Sequence, residues 1–201
     1  MSARLLLVRH GQIAANVDSR WHGSTDDGLT ARGAEQARRV ADHLAQAYPG
    51  VAAVYTSPLR RARDTAAPIA AALGLATVVR PGLAEYGIGV LENETFADLA
   101  AHHRFFEQSE ADLGWAPPGG ESLGAVAARV VATWREVARA HPGDIVALVS
   151  HGAAISAGLA TLIDGDPRAW SRYRIRNTSV SEILLDPAPR VVALDRVDHL
   201  E

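Results

Sequence analysis

The chain has 201 residues, of which 48% are hydrophobic and 21% charged, so it can bury the core of one compact α/β domain. The absence of cysteine excludes disulfides, thiolate metal sites and a cysteine nucleophile. A formal net charge of -3 gives no basic excess, so we expect neither nucleic acid nor a membrane as a partner. Apolar runs fall short of the roughly 20 residues of a membrane-spanning helix, and no signal-peptide pattern opens the sequence, so a cytoplasmic protein is expected.

The first predicted element is a strand near the N-terminus. The apolar run Leu5–Val8 suits a strand buried on both faces, as in a parallel sheet, and it ends abruptly at Arg9, His10 and Gly11. Ligands of open α/β sheets bind just beyond the carboxyl ends of the strands. Arg9 and His10 are therefore candidates for a binding site, and Gly11 lets the backbone turn sharply after them.

Helices and strands alternate along the rest of the chain. The patterns predict strands at 51–56, 77–79 and 145–150, and helices at 30–47, 59–73, 94–110, 122–138 and 153–162. Ser57 is expected to cap the second of these helices and Pro58 to begin it. Segments 180–185 and 191–197 predict a closing antiparallel pair. This order predicts one α/β domain over 1–201, with a mostly parallel, doubly wound sheet between two helix layers, a three-layer α/β/α arrangement.

A second strand ends in the same way as the first. The apolar run Ile145–Val149 leads into Ser150, His151 and Gly152, which repeats the pattern of a buried strand followed by His-Gly. Because ligand sites form where parallel strands end, the two imidazoles, His10 and His151, can meet in one cleft.

These residue types suit phosphoryl transfer without a metal. A neutral imidazole nitrogen can attack phosphorus, guanidinium groups can hold the equatorial oxygens, and a carboxyl group can protonate the leaving oxygen. The candidates are His10, His151, Arg9, Arg60 and Arg61, with Glu85 in an irregular segment as the acid. Composition alone does not bring these groups together; the predicted topology makes it feasible.

An ordered set of motifs extends the pattern over positions 4 to 152. Its blocks are Leu-Val-Arg-His-Gly-Gln at 7–12, Leu-Thr-Ala-Arg-Gly at 29–33, the arginine-bearing segment 56–66, Leu-Ala-Glu at 83–85 and Val-Ser-His-Gly at 149–152. In these blocks and their order the chain resembles the histidine phosphatase superfamily, also called the phosphoglycerate mutase-like family. A lone Arg-His-Gly would be weak evidence, whereas the ordered set is specific.

The resemblance implies a role for each matching residue. His10 would attack phosphorus and become phosphohistidine, while Arg9, Arg61 and His151 would surround the phosphoryl group. Glu85 would protonate the leaving group and later activate water. The further substrate-binding and phosphate-binding positions implied by the resemblance are Asn16, His22, Gly23 and Gly152. The resemblance implies no metal and no cofactor, and Glu92 is expected to be structural.

Three functions stay open at this point. A metal-independent phosphomonoesterase acting on a small phosphorylated metabolite is favoured, because family mutases carry a longer insertion and an Arg-His-Tyr-Gly after the acid, where this chain has Tyr-Gly-Ile-Gly at 86–89. The alternatives are a cofactor-dependent phosphoglycerate mutase and a non-catalytic module that binds a phosphorylated ligand. Segment 94–118 is expected to form a lid-like insertion that selects substrates, and the terminal strand pair offers an edge for a homodimer.

Overall fold

Six strands form one mixed sheet in the computed structural model, which describes residues 3–200. The strands are β1 (Arg4–Arg9), β2 (Val51–Thr56), β3 (Thr77–Val79), β4 (Ile145–Ser150), β5 (Val180–Leu184) and β6 (Arg190–Arg196). Their order in the sheet is β3-β2-β4-β1-β5-β6. The first four in that order are parallel, and β5 and β6 add an antiparallel pair at one edge. The predicted parallel sheet with a closing antiparallel pair is confirmed.

Seven α-helices are found among the described residues. They are α1 (Ala14–Val17), α2 (Ala31–Ala47), α3 (Arg60–Leu73), α4 (Phe96–Ala101), α5 (Phe105–Ala111), α6 (Leu123–Ala140) and α7 (Gly152–Leu159). A single π-helical turn, Ala160–Asp164, extends α7. None of the helices in the described range has the length and apolar character needed to cross a membrane.

Helices cover both faces of the sheet, because side chains of a strand alternate between faces and both faces here are apolar. On β1, Leu6 and Val8 pack into a core with α2 and α3, whereas Leu5 and Leu7 pack into a second core with α6 and α7. The predicted three-layer α/β/α arrangement is therefore confirmed, with both cores formed largely by Val, Leu, Ile and Ala.

The order of the strands reverses between β1 and β4. The chain passes from β1 to β2 and β3 and then returns to insert β4 beside β1, with Arg9 level with Ser150. The N–H of His10 donates to the carbonyl of Ser150 at 3.0 Å, so the pairing continues one residue past β1. In open α/β sheets such a reversal leaves a crevice for a ligand at the carboxyl ends.

Three helix predictions need correction. Helix α3 begins at Arg60 with Leu59 at its N-cap, so Ser57 and Pro58 do not start it. Instead Asp26, from a distant loop, accepts the N–H of Arg60. The single helix predicted over 94–110 is two short helices, because Arg104 adopts a left-handed conformation (φ 47°) between them. Helix α7 keeps α-helical geometry only as far as Leu159.

Two glycines let α2 lie directly against the turn that follows β1. A Cβ atom on Gly33 would lie 2.1 Å from the carbonyl oxygen of Gln12, and one on Gly11 would lie 2.5 Å from the carbonyl oxygen of Gly33. Both obstacles are backbone atoms, which cannot swing aside as the end of a side chain can. This close approach explains why the block at 29–33 ends in glycine, and it fixes the turn that carries His10.

We expect Gly33→Ala to lower the free energy of unfolding by about 1–3 kcal/mol, because the added methyl overpacks the contact with Gln12. Urea denaturation measures the change. Gly50→Ala is the matched control, since no atom lies within 4 Å of a Cβ at that position, and it should stay within about 0.5 kcal/mol of the parent. Equal stability of the two variants would contradict the backbone contact.

Candidate active site

The two histidines that follow β1 and β4 meet in the crevice. The ring centroids of His10 and His151 lie 5.1 Å apart with an interplanar angle of 55°. Both side chains are buried, with 3% and 0% of their surface exposed. The repeated strand-His-Gly pattern therefore marks one site, as predicted from the sequence.

His10 is held with one ring nitrogen free. Its Nδ1 lies 2.7 Å from the carbonyl oxygen of Gly11, and since a carbonyl can only accept, Nδ1 carries the hydrogen. Nε2 then bears the lone pair. Asn177 donates to the carbonyl of His10 at 2.9 Å, and Thr65 accepts the N–H of Gly11 at 2.9 Å, so the backbone on both sides of the ring is anchored.

Burial and the neighbouring arginines keep both imidazoles uncharged. Burial lowers the pKa of His10 well below its usual value of 6.5, and the positive charges of Arg9 and Arg61 lower this pKa further. The pKa of His151 is also lowered well below that value, by burial first and then by Arg61. A neutral His10 retains its Nε2 lone pair at neutral and mildly acidic pH, which a nucleophile requires.

Arg9 lines the pocket, and one of its donors is buried and unpaired within the part of the chain that the structure describes. One terminal nitrogen of its guanidinium donates to the carbonyl of Ile175 at 2.7 Å, but its Nε is buried and has no hydrogen-bond partner among residues 3–200. Gly152 packs so closely against this side chain that a Cβ there would lie 3.4 Å from Nε. A buried N–H without an acceptor is costly. The charged guanidinium of Arg9, which lines the pocket, can form charge-assisted bonds with phosphate oxygens.

His151 is fixed by two side-chain contacts. Arg61 donates from Nε to Nδ1 of His151 at 3.2 Å, and since a guanidinium cannot accept, Nδ1 carries the lone pair. Nε2 of His151 then donates to the hydroxyl of Ser57 at 2.7 Å. Ser57, predicted to be a helix cap, is thus a partner of the second histidine.

Arg61 also ties a loop to the site. Its terminal nitrogens donate to the carbonyls of His22 at 2.9 Å, of Gly23 at 2.8 Å and of Thr25. Glu92 holds the same loop from the other side, accepting the N–H of Gly23 at 2.8 Å, which agrees with its expected structural role. With most of its donors engaged, Arg61 orders the loop, and its contact with phosphate stays a prediction.

The carboxyl group of Glu85 lies at the N-terminus of α7. Its Oε1 accepts the N–H groups of Tyr86 at 2.8 Å and Ala154 at 2.9 Å, and its Oε2 accepts that of Ala153 at 3.2 Å. The first N–H groups of a helix have no hydrogen-bond acceptor within the helix, and here the carboxyl group of Glu85 accepts two of them. Glu85 lines the same pocket as His10 and Arg9, with Oε2 the less firmly held oxygen.

Arg129 of α6 clamps the segment that carries Glu85. Its guanidinium donates to the carbonyls of Ala84 at 2.7 Å and Glu85 at 2.8 Å, and it forms a two-point pair with Glu121, with both N···O distances 2.7 Å. Glu121, in the Gly-Gly-Glu-Ser sequence at 119–122, therefore supplies a positioning carboxylate, and Ser122 caps α6.

The remaining predicted contacts divide into two groups. Asn16 and His22 line the pocket, with the amide oxygen of Asn16 accepting from Asn177 at 3.1 Å and His22 lying 2.9 Å from a carboxylate oxygen of Asp27. Gly23 differs, because Glu92 and Arg61 already use its N–H and carbonyl. The structure gives Gly23 a loop-positioning role, and a direct contact with phosphate is not supported.

Residues outside the predicted set complete the pocket, which encloses about 60 Å³. They are Ile13, Arg20, Trp21, Phe96 and Ala153. Arg20 lies between the first two motif blocks, on the same stretch as the predicted residues Asn16 and His22, and this position was the sequence signal that could have identified it. Asn177 had none, because it lies outside every motif block and reaches His10 only through the fold. Between residues 3 and 200, no cluster of three or more His, Asp or Glu side chains could hold a metal ion.

Comparison with known proteins agrees with this geometry. The family model of the histidine phosphatase superfamily (branch 1) matches residues 5–195. The chain belongs to this superfamily. It is 34% identical to the probable phosphoglycerate mutase GpmB of Yersinia enterocolitica, over 92% of this chain and 86% of that protein.

Two solved phosphatases have the same fold. Mycobacterial glucosyl-3-phosphoglycerate phosphatase Rv2419c in complex with VO3 superimposes with a TM-score of 0.83 at 30% identity, covering 96% of this chain and 99% of that one. Phosphoserine phosphatase of Entamoeba histolytica in complex with 3-phosphoglyceric acid superimposes with a TM-score of 0.88 at 25% identity, covering 99% and 100% of the chains.

The two buried histidines of this phosphatase fold predict loss of stability in acid. Their pKa values are lowered in the folded chain, so below about pH 6.5 the unfolded chain binds protons that the folded chain does not. Stability should fall on acidification by up to about 1.4 kcal/mol per pH unit for each histidine, and recover above pH 6.5. Denaturant titrations between pH 5 and 8 measure this slope.

His10→Gln isolates the contribution of one ring, because glutamine does not titrate. Below pH 6.5 the free energy of unfolding of the variant should fall less steeply with decreasing pH than that of the parent. Near pH 8 the two slopes should be the same. Parallel curves for parent and variant would show that His10 is not held neutral by its surroundings.

Proposed function

We propose that this chain is a metal-independent phosphomonoesterase that transfers the phosphoryl group of a small phosphorylated metabolite to His10 and then to water. The observation that carries the proposal is the bond from Nδ1 of His10 to the carbonyl of Gly11, which leaves Nε2 unprotonated in the pocket. Arg9 and Glu85 line the same pocket, so the proposed nucleophile His10, the anion-binding Arg9 and the acid Glu85 lie close together.

In the first half of the reaction, Nε2 of His10 attacks phosphorus as the ester P–O bond breaks. The guanidinium of Arg9 lines the pocket and stabilises the charge on the phosphoryl oxygens, an interaction that is strong in a dry site. Glu85 donates its proton to the leaving oxygen, which departs as an alcohol. The requirement for a protonated carboxyl beside a neutral imidazole predicts a mildly acidic optimum.

In the second half, water attacks the phosphohistidine. The ionised Glu85 accepts a proton from that water, the N–P bond breaks and Nε2 regains its lone pair. Arg129 and α7 hold the Glu85 carboxyl in place during both steps, so one acid serves first as donor and then as acceptor. Orthophosphate leaves, and no metal ion takes part.

Two observations favour hydrolysis over intramolecular transfer. The solved structures above are named phosphatases, whereas GpmB carries the name of a probable mutase. A mutase must also retain its phosphorylated substrate while it reorients, which the longer family insertion would serve, and here segment 94–118 contains only α4 and α5. A lid-like role for this segment, a cytoplasmic location and a homodimer stay predictions of the sequence.

The direct test is phosphate release by the parent and by His10→Ala at about pH 6 in the presence of EDTA. The parent should release phosphate from phosphomonoesters despite the chelator. His10→Ala should lose activity by several orders of magnitude, because without the imidazole no phosphoenzyme forms. Its far-UV circular dichroism should match that of the parent.

His43→Ala is the matched control, because His43 lies on α2 near Tyr48, at the opposite end of the sheet from the pocket. It should retain activity. Full activity of His10→Ala, or a requirement for added metal, would refute the proposal. Interconversion of 3- and 2-phosphoglycerate without phosphate release would instead show a mutase.

A further inference from the structure

A larger cavity adjoins the catalytic pocket and has a different chemical character. The catalytic pocket encloses about 60 Å³ and is lined by polar and apolar groups in about equal part, whereas the second cavity encloses about 300 Å³ and is lined mainly by aromatic rings. Trp21, Phe96 and Ala153 line both. The two spaces therefore adjoin at these three residues, and we call the second one the aromatic cavity.

The junction lies on the side of the catalytic pocket where the leaving group must stand. Ala153 belongs to both cavities, and its N–H donates to Oε2 of Glu85 at 3.2 Å. Glu85 is the proposed proton donor to the leaving oxygen. The part of a substrate that departs as alcohol therefore extends from Glu85 past Ala153 into the aromatic cavity.

The aromatic side chains that line this cavity offer a ligand mainly apolar ring surface, because their polar atoms already form hydrogen bonds within the protein. The indole N–H of Trp21 donates to a backbone carbonyl at 3.0 Å, and that of Trp170 lies 3.3 Å from Oε1 of Glu110. The hydroxyl of Tyr173 donates to Asp164 at 2.7 Å. These groups have little left with which to bind sugar hydroxyls, whereas their faces can stack on a flat ring.

Two further aromatic residues open toward solvent at this place. Phe106 packs against Trp21 and Trp170 with ring centroids 6.4 and 6.2 Å apart. Phe96 stands at the junction of the two cavities with 45% of its surface exposed. A bound ring would cover this apolar surface, which otherwise contacts water.

One charged group, Glu110, lines the aromatic cavity. Its Oε1 faces the indole of Trp170, while its Oε2 accepts no hydrogen bond from any residue between 3 and 200. A carboxylate in an apolar wall repels a second anion and attracts a hydrogen-bond donor. A leaving group that carries its own carboxylate, as phosphoglycerate does, fits this cavity poorly.

From these features we infer that the preferred substrates are phosphomonoesters of alcohols bearing a flat aromatic ring, neutral or carrying a hydrogen-bond donor, and not those with a second acidic group. The inference rests on the proposed function, since it places the leaving group of that same reaction. It assigns Trp21, Phe96, Phe106 and Trp170 to ring binding and Glu110 to recognition of a donor.

Matched esters test the inference without changing the reactivity of the ester bond. 2-Phenylethyl phosphate and propyl phosphate are both primary alkyl esters, so a difference in kcat/KM reports binding of the ring. We expect the phenyl ester to be preferred by about tenfold or more, the range expected for aromatic stacking. Adding a para-carboxylate to the ring should remove this preference, whereas a para-aminomethyl group should preserve or increase it.

Variants of the cavity supply the second readout. Ser171→Trp fills the aromatic cavity from its exposed rim, and should lower kcat/KM for the phenyl ester while leaving that for propyl phosphate unchanged. Ala71→Trp, at an exposed position of α3 in the opposite helix layer, is the matched control and should change neither. Glu110→Gln should reduce the discrimination between the carboxylate and aminomethyl esters.

The outcomes separate the two proposals. If no ester releases phosphate, the proposed phosphatase function fails. If all esters are hydrolysed with equal kcat/KM, or if Ser171→Trp slows the propyl ester as much as the phenyl ester, the phosphatase stands and the aromatic cavity is not a substrate site. A preference for the carboxylate ester would overturn the role given to Glu110.

Discussion

The parallel pairing of β1 with β4 is the contact on which the site depends. These strands are distant in the chain, yet their backbone hydrogen bonds place Arg9 level with Ser150 and so put His10 and His151 side by side. Parallel strands point all their carboxyl ends at one edge, and the reversal of strand order there leaves room for a ligand. Any change that slipped this register would separate the two imidazoles.

Two arginines, Arg61 and Arg129, hold irregular loops in fixed positions around that pair. Arg61 joins the loop at 22–25 to His151, and Arg129 holds the segment of Glu85, in both cases by donating to backbone carbonyls. The guanidinium of Arg61 has a second effect, because its charge helps to lower the pKa of both histidines. The order of this loop and the protonation state of the two histidines thus depend on the same guanidinium, so a variant of Arg61 would disturb both.

Local patterns were enough to predict the sheet, the helix layers and the pair of histidines, because hydrophobic periodicity and the repeated strand-His-Gly sequence are short-range signals. Side-chain contacts between residues distant in the chain could not be predicted in this way. Ser57 looked like a helix cap from its neighbours, whereas its hydroxyl meets His151, and the helix after it is capped by Asp26. Asn177 carries no motif, and its contact with His10 exists only once β5 lies beside β1.

Segment 94–118, the predicted insertion, also has a feature that local sequence patterns do not predict. Its sequence favours one helix over 94–110, but the left-handed turn at Arg104 divides that helix, and this lets Phe105 and Phe106 pack around Trp21. No local rule predicts that turn, since a non-glycine residue there is strained and tertiary packing must favour it. The same break gives the aromatic cavity part of its wall.

The central claim is that phosphorus is attacked by Nε2 of His10 and not by water. The stereochemical course at phosphorus tests it most directly, using a phosphorothioate ester made chiral with oxygen isotopes and hydrolysed in isotopically labelled water. Two successive in-line displacements, first by His10 and then by water, predict retention of configuration. Inversion would mean a single direct attack by water and would contradict the account.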